Sequence, residues 1–293
     1  MDFGLCLPNY PAGASTEGIE AAADVASRLG WSTVWTTDHV LVDHEAAPDY
    51  GRIYDAILTL AWVGAKYVTL RLGTSVIVVP QRNAIVLAKE LATLDGLTGG
   101  RVVAGVGVGW SDREFANLGV AERFGVRGAY LDETIRLWRH LWSGSSEPFP
   151  GRFHPLEDFV FGPLPVQGAS LPIQVGGRAA AALRRAGALG DGYHASQASP
   201  ASYAERVPVV RAAAVAAGRP EPRLTARVRV QFGAATDSGY AMRGTNAEIA
   251  AEVRAFESAG VSHLALAFGT TDPGQLVAAV ERFDREVVPL VAG

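Results

Sequence analysis

LRLGTSVIVVPQRNAIVLAKELATLDGLTGGRVVAGVGVGW, residues 70–110, contains one complete unit of the pattern that the rest of the chain repeats. Its opening run, LRLGTSVIVVP, is rich in β-branched residues and predicts a strand. Asn83 stands where a helix N-cap belongs, Leu87, Leu91 and Leu94 recur at helical spacing, and Gly99-Gly100 ends the periodicity. RVVAGVGVG then returns as a nearly unbroken apolar run. A strand covered on both faces needs that composition, because crossover helices bury each side of a parallel sheet.

The same alternation extends in both directions. DFGLCLP is a first strand, followed by Ser15 as N-cap and by Ile19, Ala22, Ala23, Ala26 and Leu29 at helical spacing up to Gly30. STVWTTD is a second strand, and DAILTLAWVGAKYV its helix, with Ile57, Leu60, Ala61 and Gly64 on one face. Downstream, Leu131, Ile135, Trp138, Leu141 and Trp142 form one helical stripe. Prolines and glycines break the order over residues 144–172, which reads as an excursion or small hairpin within a domain. LPIQV, GYHAS, LTARVRVQF and SHLALAF resume as strands five to eight. Their helices run to Leu189, from about Pro200 to Ala217, from Thr245 to Ser258, and from Asp272. Eight strand–helix units predict an α/β fold, a closed (β/α)8 TIM barrel forming a single domain over residues 1–293, with loop insertions at its C-terminal face. An open doubly wound sheet is the competing topology.

Of 293 residues, 48% are hydrophobic and 19% charged, enough apolar material for a large core. The net charge of −4 comes without any block of like charge, which argues against nucleic acid and a polybasic membrane patch and for a small-molecule partner. No apolar run reaches the eighteen or so residues of a spanning helix and no basic leader opens the chain, so a cytoplasmic location is expected. Cys6 is the only cysteine, so an internal disulfide is excluded, and its apolar surroundings fit a small buried residue.

Barrels of this kind carry their chemistry at the C-terminal ends of the strands. At that end of strand two stand Asp38 and His39. The imidazole can move a proton near neutral pH and the carboxylate can orient it, provided the strand stops near Thr37 so that neighbours need not face opposite ways. Asp43, His44 and Glu45 follow without zinc spacing, so a solvated loop is their simpler account and no metal is expected. GTSVIVVP, beginning at Gly73 and carrying Ser75, can bulge at the rim or be an ordinary apolar strand. GVGVGW, residues 105–110, fits either tight packing or a ligand against bare main chain. It fails as a dinucleotide fingerprint because it does not open a helix after a first strand. In VGGRAAAALRR, Gly176-Gly177 directly before a helix, with Arg178 beside them, read as an anion site ahead of a plain strand-to-helix turn. His194 reads first as a surface or satisfied core histidine, although it lies at the end able to touch a ligand, and Arg227 and Arg229 read as paired charges filling the barrel ahead of a substrate clamp.

Taken together, FGLCLPNY, VWTTDHV, RLGTSVIVVP, TGGRVVAGVGVGWSDREF, GRFHPLEDFVFGPLPVQ and PIQVGGRAAAALRRAGALGDGYH resemble the luciferase-like monooxygenase superfamily, and most of all its deazaflavin-using branch. The likeness runs in order through nearly the whole chain. It implies an eight-stranded barrel binding coenzyme F420, or alternatively FMN, at the strand ends. It also implies an acid and a histidine facing the ring, at Asp38 and His39, and a bulge with a cis peptide behind the ring at Ser75-Val76, with Thr74 alongside. Gly107, Val108, Gly109 and Trp110 would contact the cofactor from strand four. Gly176, Gly177 and Arg178 would hold its phosphate, flanked by Ala195 and Ser196. In the branch's sugar-phosphate dehydrogenases a glutamate directly follows the strand-four glycines, where this chain has Trp110, so that substrate is not implied. The expected function is hydride transfer between F420 and a small, apolar organic substrate, with Trp35, Trp110 and the loop over residues 40–55 shaping the pocket. The alternative is an FMN-dependent monooxygenase. The resemblance also leans toward a homodimer.

Overall fold

The computed structural model describes residues 1–10, 13–233 and 239–291. In chain order the elements are β1 (Asp2–Cys6), α1 (Thr16–Arg28), β2 (Thr33–Thr36), α2 (Ala47–Tyr50), α3 (Ala56–Lys66), β3 (Arg71–Thr74), β4 (Ile77–Val78), α4 (Ala84–Leu97), β5 (Val102–Gly107), α5 (Asp112–Asn117) and α6 (Arg127–Trp142). They continue with β6 (Ile173–Gly176), α7 (Ala180–Ala188), β7 (Gly192–Ser196), α8 (Pro200–Ala216), β8 (Arg223–Phe232), β9 (Met242–Gly244), α9 (Asn246–Ser258), β10 (His263–Phe268), α10 (Pro273–Glu286) and α11 (Val288–Val291). The strands pair in parallel in the order β10, β1, β2, β3, β5, β6, β7, β8, and β8 returns to β10. The sheet is therefore a closed barrel of eight strand positions, with β4 continuing β3 and β9 pairing in parallel alongside the end of β8. Asn83 caps α4 as expected, accepting from the N–H groups of Ile85 and Val86. In the 144–172 excursion, the pairing among the described residues is a single antiparallel bridge, Phe149 to Leu156.

Most apolar burial lies between barrel and helices, where the stripe of α6 packs Trp138 and Trp142 out of solvent. The barrel interior is filled separately by Trp35 with Cys6, Val103 and Ala265. Its indole explains two glycines. A Cβ at Gly73 would lie 2.3 Å from Trp35 Cε3, and one at Gly4 would lie 2.8 Å from Nε1. The indole N–H donates to His263 Nε2 (3.1 Å), so the proton of that ring sits on Nδ1, which donates to Asp2 (2.9 Å). Trp35 is 2% exposed, so it plugs the barrel and does not shape a pocket, contrary to expectation. Cys6 is buried beside it, and that burial pushes its thiol up, which suits packing and not nucleophilic chemistry.

The third strand carries the expected irregularity. Between the pairs Gly73–Val103 and Ile77–Val106, the β3–β4 side advances four residues while β5 advances three. One extra residue on one strand is a bulge, and the peptide Ser75-Val76 within it is cis. Thr74 Oγ1 donates to the Gly105 carbonyl (2.6 Å), tying the near side of the bulge to β5.

Candidate active site

The chain leaves β2 at Thr36, and Asn9 clamps the next residue: its side chain donates to the Thr37 carbonyl (2.8 Å) and accepts from the Thr37 N–H (3.1 Å). Asp38 and His39 then part. Asp38 does not face the mouth. Its carboxylate accepts from the Val78 N–H (2.9 Å) and pairs with Arg82 (2.6 Å), which also reaches Asp55 (3.1 Å). Burial alone would lower the Arg82 guanidinium, but the two carboxylates hold it above its ordinary value. Asp38 thus anchors β4 and the turn after it, a positioning role in place of the expected ligand contact.

His39 turns the other way, and its partner comes from 75 residues downstream. His39 Nδ1 lies 2.8 Å from Glu114 Oε2, while Glu114 Oε1 accepts from the N–H groups of Val40 (2.7 Å) and Leu41 (3.1 Å). Ser111 caps α5 and receives the Glu114 N–H, fixing that carboxylate at the helix start. Burial raises the Glu114 carboxyl, yet its hydrogen bonds with His39 and the Val40 N–H bring it down to about 2. An ionised Glu114 requires the proton of a neutral His39 on Nδ1 and leaves Nε2 as the open acceptor. Tyr50 lies against the imidazole with centroids 4.4 Å apart, and Trp110, 57% exposed, meets it edge-on at 5.6 Å. Tyr50 stacks in turn on Tyr10 (5.4 Å), above which lies the Arg227 guanidinium.

The bulge is held by a directed relay. Thr225 donates to Gln174 Oε1 (2.8 Å) and can therefore accept from His194 Nδ1 (2.7 Å), which leaves His194 Nε2 to accept from the Ser75 hydroxyl (2.8 Å). Burial first, then the charges of His263 and Arg227, lower His194 to about 3, so it stays neutral. It stacks on Trp35 and is 1% exposed with both ring nitrogens bonded, a satisfied core histidine that supports the bulge. Arg227 donates to the Ser75 carbonyl (3.0 Å), to Thr37 Oγ1 (2.8 Å) and to the Tyr10 hydroxyl. Expected to pair with an acid, it instead ties β2, the bulge and the loop after β1 together.

Val76 projects from the bulge, and the glycines of β5 and β6 make room for it. A Cβ at Gly107 would come within 2.6 Å of Val76 Cγ2, and one at Gly176 within 3.0 Å of Cγ1. Both were read as candidate ligand contacts, and in the structure each leaves the space that a Val76 methyl occupies. Gly109 has φ 76°, and an added Cβ would meet Val78 at 2.7 Å. Val108 and Ala195 turn their side chains to the helix-side core, so at the mouth they offer only main chain. Gly177 (φ 126°), exposed Arg178 and exposed Ser196 line the other side, where α7 starts without any side-chain cap. Uncapped N–H groups and the positive end of the helix suit an anion there. Glu114, Tyr10 and Arg82 escaped the sequence reading. The only local signal for Glu114 is its place three residues after Ser111, a pattern that helix starts use without chemistry. Among the described residues, no group of three or more His, Cys, Asp or Glu is placed to hold a metal ion, and no helix is long and apolar enough to cross a membrane.

Comparison with known proteins gives the same frame. Residues 1–249 match the family model of luciferase-like monooxygenases. The F420-dependent glucose-6-phosphate dehydrogenase of Kineococcus radiotolerans is 32% identical over 228 residues, covering 75% of this chain but only 65% of that protein. The enzyme of the same name from Nakamurella multipartita is 31% identical over 263 residues, covering 86% and 75%. The F420-dependent tetrahydromethanopterin reductase of Methanopyrus kandleri superposes with a TM-score of 0.80 over 98% of both chains at 16% identity, a likeness of fold. A parallel barrel with a bulged third strand, matched over most of its length by this model and these relatives, places the chain in the luciferase-like monooxygenase family.

Proposed function

We propose that this protein is a coenzyme F420-dependent oxidoreductase that moves hydride between the deazaflavin and a small organic substrate, with His39 carrying the balancing proton. The residues present fit the cofactor on two grounds. Val76 stands on a bulge whose flanking positions are glycine, a platform for a flat ring, and the uncapped start of α7 beside Gly176, Gly177, Arg178 and Ser196 is a cradle for a phosphate. When bound, the deazaflavin supplies a two-electron hydride carrier.

The observation that carries the reading is the His39–Glu114 pair at 2.8 Å. Glu114 holds the Nδ1 proton, so Nε2 takes a proton from a substrate hydroxyl as hydride leaves the adjoining carbon, and returns it in the reverse direction. The imidazolium so formed is stabilised by the buried carboxylate. Such proton transfer contributes about 10²–10⁴ in rate. Tyr50 and Trp110 lay aromatic surface against the imidazole, which is 8% exposed. Asp38, locked on Arg82, keeps β4 and the bulge in place. Separate titrations of the purified protein with F420 and FMN test the proposal; saturable F420 binding is expected, and FMN binding without F420 binding overturns it in favour of an FMN-dependent monooxygenase.

A further inference from the structure

Arg227 has no counter-ion among the described residues. Its acidic neighbours are the phenols of Tyr10 and Tyr50 and the thiol of Cys6, groups that ordinarily keep their protons at neutral pH. Charged groups withdrawn from water are normally paired, because their lost hydration has to be replaced. Thr37, Ser75 and Tyr10 occupy three of the five guanidinium N–H bonds, and Nε with one N–H of Nη2 remains.

A cavity of about 410 Å³ opens on this group between β1, β8 and β10, a size suited to a small organic ligand. Leu7 and Phe268 make its wall apolar, while Tyr10, Thr271 and Arg229 add polar groups. Around the closed barrel these strands lie across the mouth from β5 and β6, where the glycine platform and the start of α7 stand. A molecule filling the cavity is therefore separate from whatever occupies the phosphate cradle. Two rings lead from it to the proton carrier: Tyr10, in the cavity wall, stacks on Tyr50 (5.4 Å), and Tyr50 lies tilted against His39 (4.4 Å).

We infer that the substrate carries a carboxylate, which becomes the counter-ion of Arg227 in this cavity while the reacting carbon lies toward His39. The remaining N–H bonds on Nε and Nη2 of Arg227 suit a planar carboxylate, and the apolar wall takes its hydrocarbon body. This rests on the proposed function for the identity of the ligand as substrate, but its binding test does not need F420.

Calorimetric titration of the whole chain with benzoate and hexanoate, against benzamide and hexanamide, tests it. The acids should bind at least about tenfold more tightly than the amides, and Arg227→Met should abolish that preference while Arg227→Lys keeps part of it. Equal binding of acids and amides, no binding of either acid, or an unchanged preference in Arg227→Met overturns the inference. So does binding of inorganic phosphate in place of the acids with the same dependence on Arg227, which would assign a phosphorylated substrate. Thermal unfolding checks that Arg227→Met is folded; if it is not, Arg227→Lys decides, and an undiminished acid preference there overturns the inference. F420 titration is read separately, so loss of the cofactor reading and loss of the carboxylate reading are distinguishable.

Discussion

Replacing Glu114 by glutamine should reverse the imidazole that faces the mouth. The carboxylate accepts three hydrogen bonds, one from His39 and two from the N–H groups of Val40 and Leu41. Glutamine has one acceptor oxygen and one amide nitrogen. Turning the nitrogen toward the backbone would set donors against two N–H groups, so the oxygen stays there and the amide N–H faces His39 Nδ1. Nδ1 must then accept, the ring proton moves to Nε2, and the neutral histidine offers the substrate no base. Activity in the alcohol-oxidising direction should fall by about 10²–10⁴, the usual contribution of a general base. Folding stability should fall by about 1.5–3 kcal/mol, the worth of a hydrogen bond to a charged group. Nitrogen-15 NMR of the imidazole reports the tautomer directly and urea unfolding reports the stability. A proton still on Nδ1 in a folded Glu114→Gln variant would refute the assigned relay, and full activity with the reversed tautomer would refute the role of His39.

Three further outcomes are expected. Because folding lowers the Glu114 carboxyl from 4.5 to about 2, the unfolded chain binds the extra proton between those values; this part of the stability is complete above about pH 4.5 and is lost as pH falls toward 2, so urea unfolding at several acidic pH values should show a slope that Glu114→Gln lacks. Gly105→Ala places a Cβ 1.8 Å from the Thr74 carbonyl oxygen, a backbone clash that should cost about 3 kcal/mol or more, whereas Gly107→Ala meets only a Val76 methyl and should mainly weaken F420 binding; melting curves and cofactor titration separate the two. Trp110→Ala removes a side chain 57% exposed and should alter stability by less than about 0.5 kcal/mol while raising KM for the substrate; an unchanged KM would place the substrate elsewhere.

Much of the fold was legible in the chain because strand and helix periodicity, caps and glycine stops are decided by residues within a few positions of one another. Asn83, Ser15 and Asp272 cap the helices assigned to them, and all eight barrel strands fall on the runs read as strands. The site was legible in part. The Ser75-Val76 bulge lies where it was expected, while Asp38 pairs with Arg82 and not with His39, since once β2 ends the direction of each side chain depends on what packs against it. Trp35 looked like a pocket residue beside a functional pair, but strand alternation turned it into the barrel, where Gly4 and Gly73 leave space for it.

The amino-acid order by itself therefore determined the alternation of strands and helices, the place of the bulge, and which end of the barrel carries the polar groups. Only tertiary structure decided that Glu114 orients His39, that the β5 and β6 glycines serve Val76, and that Arg227 lies beside a cavity without an acid among the described residues. The physical reason is distance along the chain: 75 residues separate His39 from Glu114 and 152 separate Ser75 from Arg227. Barrel closure, and no local preference, brings such groups within hydrogen-bond reach.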